Sequence, residues 1–172
     1  LTMRLLAEEK KTGTIELLLT KAVTDREVVV GKFLSTLLLV GIALAFTLPY
    51  VVTLANIGNI DLGEILSGYL GLLLMSAAYI SIGLYASSIT GNQIVAFLIS
   101  LFIGLFFHLL FEVLAGSTTG FMSQLFNTLS LSSHFESISR GVIDTRDLIY
   151  FLSIVFVGLF LSELSLTKRN AG

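Results

Sequence analysis

ILSGYLGLLLMSAAYISIGLYASSITGNQIVAFLISLFIGLFFHLLF, residues 65–111, contains no Lys, Arg, Asp or Glu. A helix crosses the hydrocarbon core of a bilayer with about 20 apolar residues. The run is therefore too long for one span and long enough for two. The polar, turn-forming string SSITGNQ at 87–93 divides it, which predicts spans at 65–86 and 94–114. So tight a connection makes the pair antiparallel. Small residues recur at four-residue spacing (Ser67 and Gly71, Ala77 and Ser81, Ser100 and Gly104). Such spacing lets helix backbones approach closely in lipid.

The same pattern extends on both sides. Residues 33–60 are also free of formal charge, giving a first span at 28–55 that ends in the turn-like Asn56-Ile57-Gly58-Asn59. Pro49 lies in its outer half and is expected to kink it, as neighbouring helices in a membrane allow. A last span fits 148–167. Asp144 is an N-cap candidate at its start, Asp147 adds a second acid in its first turn, and Lys168 and Arg169 follow it. Apolar residues make up 55% of the chain and charged residues 13%, about half the charge of a soluble domain. The chain has no cysteine, which excludes a disulfide framework and a thiolate metal site. It is read as one all-α integral membrane domain, residues 1–172.

Charge sets the orientation. Four spans leave both ends on one side, with Arg4, Lys10, Lys11, Lys21, Arg26, Lys32, Lys168 and Arg169. The other side has Arg140 and Arg146, accompanied by Glu136, Asp144 and Asp147. The positive-inside rule then puts both ends in the cytoplasm. Residues 115–146 form the extracytoplasmic segment. Within it Phe121, Met122, Leu125, Phe126 and Leu129 share one helical face, opposite Ser123, Gln124, Asn127, Thr128 and Ser130. This describes either an amphipathic helix at the outer interface or a plain surface helix between two spans.

The first 32 residues, LTMRLLAEEKKTGTIELLLTKAVTDREVVVGK, hold six of the ten basic side chains. Charges fill the place where a signal peptide would need an apolar core. Thr24-Asp25-Arg26-Glu27 is a capping box, and Val23 and Val28 flank it as a hydrophobic staple. A shorter helix fits 14–20, with Gly13 at its cap and Ile15, Leu18 and Leu19 as its apolar surface. Residues 1–27 are thus a cytoplasmic segment. From the residues alone it is either a headgroup-binding helix–turn–helix or a protein-docking element. The acids Glu8, Glu9, Glu16, Asp25 and Glu27 weaken lipid attraction without deciding between them.

That stretch resembles the cytoplasmic loop of type-2 ABC transporter permeases, in the gliding-motility-associated group. GYLGLLLMSAAYISIGLYASSITGNQIVAF (68–97) and LSLSSHFESISRGVIDTRDLIYFLS (129–153) fit the same family in the same order. The resemblance implies six spans, of which this chain holds the last four, so that residue 1 is the tail of a second span. It implies a cytoplasmic coupling helix and an outer interfacial helix. It also implies a docking site for a separate ATP-binding subunit at Thr14, Ile15, Glu16, Leu18, Leu19 and Thr20. A second permease, identical or related, completes the transporter in a bacterial cytoplasmic membrane, and ATP and Mg bind the partner subunit rather than this chain. In the family a Pro often follows the short helix; here Ala22 stands in its place.

Other candidate chemistry is thin. His108 and Glu112, four residues apart in the third span, form a possible intramembrane polar pair. Ionisable groups there are functional candidates by default. They could serve a proton relay, the lining of a substrate path, or an intramembrane enzyme; the plainer reading is a hydrogen-bonded pair facing the bundle. Ser133, His134 and Glu136 lie too close in sequence to form a catalytic triad. Arg140, Asp144, Arg146 and Asp147 are read as caps and exposed ion pairs. No Walker-type glycine loop and no zinc-ligand spacing occurs. The reading is a non-enzymatic permease subunit of an exporter driven by a separate ATPase subunit, with no nucleic-acid partner. The alternative is a membrane scaffold that anchors a cytoplasmic protein.

Overall fold

The computed structural model describes residues 2, 6, 7, 24–58 and 60–170. The proposed docking residues Thr14, Ile15, Glu16, Leu18, Leu19 and Thr20 lie outside the described residues. Those described are helical, without strands. Helices α1 (Asp25–Ala45) and α2 (Leu48–Ile57) form the first span, and α3 (Leu62–Ile89) the second. The third consists of α4 (Gln93–Leu105), a π turn at Phe106–Leu110 and α5 (Phe111–Ser117). Two short helices follow, α6 (Phe121–Leu129) and α7 (Leu131–Ser139), and α8 (Thr145–Asn170) is the last span. Four helices are long and apolar enough to cross a membrane: Asp25–Ile57, Leu62–Ile89, Gln93–Ser117 and Thr145–Lys168.

Each span begins on a polar side chain that satisfies a free amide of its first turn. Thr24 and Glu27 form the reciprocal box: the Glu27 amide donates to Thr24 Oγ1 at 3.3 Å and the Thr24 amide to Glu27 Oε2 at 2.9 Å. Asp61 accepts from Gly63 N–H at 2.8 Å, Asn92 from Ile94 N–H at 3.0 Å and Asp144 from Arg146 N–H at 3.0 Å.

Helix α3 is the hub. It packs against α8, α4, α1 and α7, and its apolar window is 39% buried against 17% or less for the other spans. Two clusters hold it. The inner one joins Leu6, Val29, Phe33, Ala77, Ile80, Leu84 and Leu166. The outer one joins Ala78, Leu131, Ile138 and Phe151, flanked by Tyr79, Phe107, Phe135 and Tyr150. Ser67, Gly71, Ala77 and Ser81 are all buried, and small side chains let neighbours reach the α3 backbone. A Cβ on Gly71 would come within 3.2 Å of the Phe135 ring.

The predicted kink is a break. Pro49 stands at the second position of α2, has no N–H and would crowd the carbonyl four residues back. The helix stops at Ala45 and restarts at Leu48. Thr47 secures the corner: its hydroxyl donates to Leu44 O at 2.6 Å and hydrogen-bonds the Tyr69 hydroxyl on α3. The third span contains a second irregularity, where Phe111 N–H donates to Phe106 O, five residues back instead of four.

The 115–146 segment holds two short helices where one was expected. Ser130 ends α6 and caps α7, accepting from Ser133 N–H at 3.4 Å. On α6, Phe121, Met122 and Leu125 are exposed, while Phe126 stacks on Phe111 with centroids 6.2 Å apart. Helix α7 buries Leu131 and Ile138 completely. Gly120 (φ 73°) and Gly141 (φ 86°) open and close the pair, a left-handed backbone that glycine adopts without steric cost.

Candidate functional site

The polar interactions gather at the two ends of the bundle. At the end of the bundle that holds Leu6, Asp25 and Thr167, three elements meet. The amides of Leu6 and Ala7 both donate to Ser87 Oγ near the end of α3, at 3.1 and 2.8 Å. All three residues are fully buried. Leu6 packs with Val29 and Phe33 of α1, Leu84 of α3 and Leu166 of α8. Thr167 on α8 donates to the Asp25 carboxylate in the first turn of α1 at 3.1 Å, and Ser165 donates to Ser88 O at 3.1 Å. A groove of about 330 Å³ between α1 and α8 is lined by Val29, Val30, Phe156 and Leu159, with Arg26 and Glu163 among its walls. The start of α1 is therefore joined to both α3 and α8. Sequence reasoning found the capping box and missed Ser87, which it read as the first residue of the turn between two spans; the helix instead runs on to Ile89 and buries Ser87.

At membrane depth, His108 and Glu112 are not brought together. The π turn places one extra residue in the helical turn that separates them, so the four-residue stacking of an α-helix is lost. No hydrogen bond joins the two side chains, and Glu112 is exposed. His108 turns towards α7, with Ser132 Oγ 3.3 Å from Nδ1, and its ring lies 6.3 Å from that of Tyr79. It also lines a cavity of about 450 Å³ with Tyr79, Ser100, Leu101 and Gly104.

At the outer end, Ser133, His134 and Glu136 form no triad. Ser133 Oγ donates to Asn127 Oδ1 at 2.5 Å, and Glu136 is exposed. The partner of His134 is Asp147: its Nδ1 lies 2.6 Å from Asp147 Oδ1 and its Nε2 lies 3.0 Å from Thr128 O. The expectation of an exposed ion pair is corrected for Asp147, which is only 5% exposed. The packing of α7 on α8 covers it, which its sequence position at a helix start does not reveal. Asp144 holds the capping role.

Among the described residues, no three His, Cys, Asp or Glu side chains come close enough to hold a metal ion. The described residues form a polar junction at one end, an apolar four-span bundle, and a docked pair of short helices at the other. No curated protein matches the sequence as a relative. The model of the ABC-2 family transporter proteins matches residues 1–165, which takes in the first three spans, the two short helices and most of the last span. With so nearly complete a match, the chain belongs to the ABC-2 family of transporter proteins and is a multi-pass membrane permease.

Proposed function

We propose that this chain is the permease subunit of an exporter driven by a separate ATP-binding subunit. It pairs with a second permease, identical or related, in a bacterial cytoplasmic membrane, and belongs to the gliding-motility-associated group. ATP and Mg bind the partner. The ATPase docks on residues 13–20, through Thr14, Ile15, Glu16, Leu18, Leu19 and Thr20, and its closure pushes on the segment that leads into α1.

The observation that carries this reading is the junction at the start of α1. A push delivered at Thr24 enters a helix whose first turn is capped and bonded to α8. The segment on the other side of 13–20 is bonded to the end of α3 at Ser87. Both flanks of the docking segment are thus tied to spans, so load passes into the bundle. A ligand shifts an equilibrium only by its differential affinity for the two states, and ATP supplies that difference through the partner.

The test is co-purification of the tagged full-length protein in mild detergent, followed by ATPase assay in liposomes. An ATPase subunit is expected to accompany it. Replacing Ile15, Glu16 and Leu18 with Ala is expected to abolish permease-dependent stimulation while leaving the spans folded. A permease that brings down no ATPase, or stimulation that survives the triple substitution, overturns the reading.

A further inference from the structure

The hydrogen bonds around His134 do not balance for a neutral imidazole beside a carboxylate. Thr128 O can only accept, so at 3.0 Å the His134 Nε2 must carry a hydrogen and donate it. On the other side of the ring, Nδ1 lies 2.6 Å from Asp147 Oδ1, and a hydrogen must lie between them. It is either an imidazolium N–H donating to the carboxylate or a carboxyl O–H donating to Nδ1. In both cases the pair holds one proton more than a neutral histidine and an ionised aspartate. We infer that His134 and Asp147 form a proton-binding site whose occupancy docks the outer helix pair α6–α7 on α8.

The surroundings make that proton structural. The carbonyls of Thr128 and Leu129 end α6, where no intrahelical donor remains for them. His134 of α7 donates to the first and the Tyr150 hydroxyl of α8 to the second. Tyr150 also stacks on the imidazole, centroids 4.0 Å apart. Three helices therefore meet at one ring. Removing the proton leaves a lone pair facing either the carboxylate or the carbonyl. Asp147 Oδ2 is buried with no partner, so no other donor is in place to hold the carboxylate. Glu136 and Arg140 of α7 and Arg146 of α8 are exposed. His108 in the π turn meets Ser132, and Tyr79 of α3 lies against His108. None of these bonds His134.

The sign follows from this count. The pair is docked while it holds the shared proton and loosens as rising pH removes it. The face on which pH acts rests on the proposed ATP-driven reading, which needs residues 13–20 in the cytoplasm and so puts α6 and α7 on the opposite face; the proton site itself does not.

The sequence has no cysteine, which suits single-cysteine labelling of the full-length permease. Leu131→Cys places a thiol on α7 at a fully buried position, and Ser117→Cys an exposed reference. In detergent, the maleimide labelling rate of the first, divided by that of the second, is expected to rise about tenfold between about pH 5 and about pH 8. Asp147→Asn supplies a permanent N–H donor to Nδ1 and is expected to keep the low ratio at every pH. Asp147→Ala is expected to give the high ratio at every pH. A wild-type ratio that stays flat, or an Asn variant that labels like the Ala variant, overturns the proton site. In sealed vesicles with the two faces held at different pH, the ratio is expected to follow the outer face. A response to the inner face instead overturns the orientation and leaves the site standing.

Discussion

Gly158 of α8 lies so close to Ser81 of α3 that a Cβ on the glycine would sit 2.7 Å from Ser81 Oγ and 3.0 Å from its carbonyl carbon. Ser81 donates to Ala78 O at 2.7 Å and Ser162 to Gly158 O at 2.7 Å, both buried. Ser81 also reaches Ile154 O of α8, at 3.5 Å, so along this stretch the seam between α3 and α8 is closed by close contact and one long hydrogen bond. In lipid, where burying apolar surface gives helices no advantage over acyl chains, such contact is what holds them together. Gly158→Val is expected to force the helices apart at a cost of about 1–3 kcal/mol, as overpacking does. Thermal unfolding in detergent would register it as a lower midpoint than Gly68→Val, since a Cβ at Gly68 meets nothing within 4 Å.

Ser87 accepts two backbone amides in a fully buried place. Ser87→Ala leaves both without that acceptor, which costs about 1–3 kcal/mol for a buried donor. Amide exchange at Leu6 and Ala7 is expected to accelerate while exchange in the middle of α3 is unchanged. Unaltered exchange at those two amides would sink the idea that Ser87 anchors the segment before α1.

The capping box at Thr24 opens α1. Thr24→Ala is expected to cost about 1 kcal/mol, and Thr24→Asn to restore most of it, because Asn is also a good N-cap. If α1 carries load, the Ala variant should also weaken coupling of ATP hydrolysis to transport, read as ATP consumed per substrate moved. Equal coupling in the Ala and Asn variants would separate the cap from the lever.

Thr47 and Tyr69 join the break in the first span to α3. A double-mutant cycle with Thr47→Ala and Tyr69→Phe is expected to give a coupling of about 0.6 kcal/mol, typical of hydrogen bonds between membrane helices. Additive effects would mean the bond does not hold the corner.

What could be read in the sequence was what periodic burial and local chemistry encode. Uninterrupted apolar runs gave the four spans, because nothing else tolerates lipid at that length. Thr24 through Glu27 and Asp144 gave two helix starts, because a cap interacts with amides two or three residues away. Asp61 and Asn92 start α3 and α4 in the same way and could have been found by the same rule. The stop at Ala45 could be foreseen from Pro49. The π turn could not: Phe-Phe-His-Leu-Leu has no breaker, and the turn meets α7 through His108 and Ser132, 24 residues apart. Asp147 was misjudged for a related reason. Its sequence position at a helix start is that of a solvated acid, and only the return of α7 across α8 buries it. Ser87 and Gly158 matter through neighbours about 80 residues away, which one sequence does not pair.

The break at Thr47 also bears on how the protein meets its membrane. The first span runs from Asp25 to Ile57, 33 residues. At about 1.5 Å per residue a straight helix of that length would reach about 50 Å, against a hydrocarbon core of about 30 Å. Its inner half is tied into the bundle through Val29, Phe33 and Thr36, whereas α2 buries no residue. Hydrophobic mismatch therefore falls on the half that can swing. A thinner bilayer is expected to lay α2 over at the Thr47 corner and a thicker one to lift it, while α1, α3 and α8, packed on one another, keep their tilt.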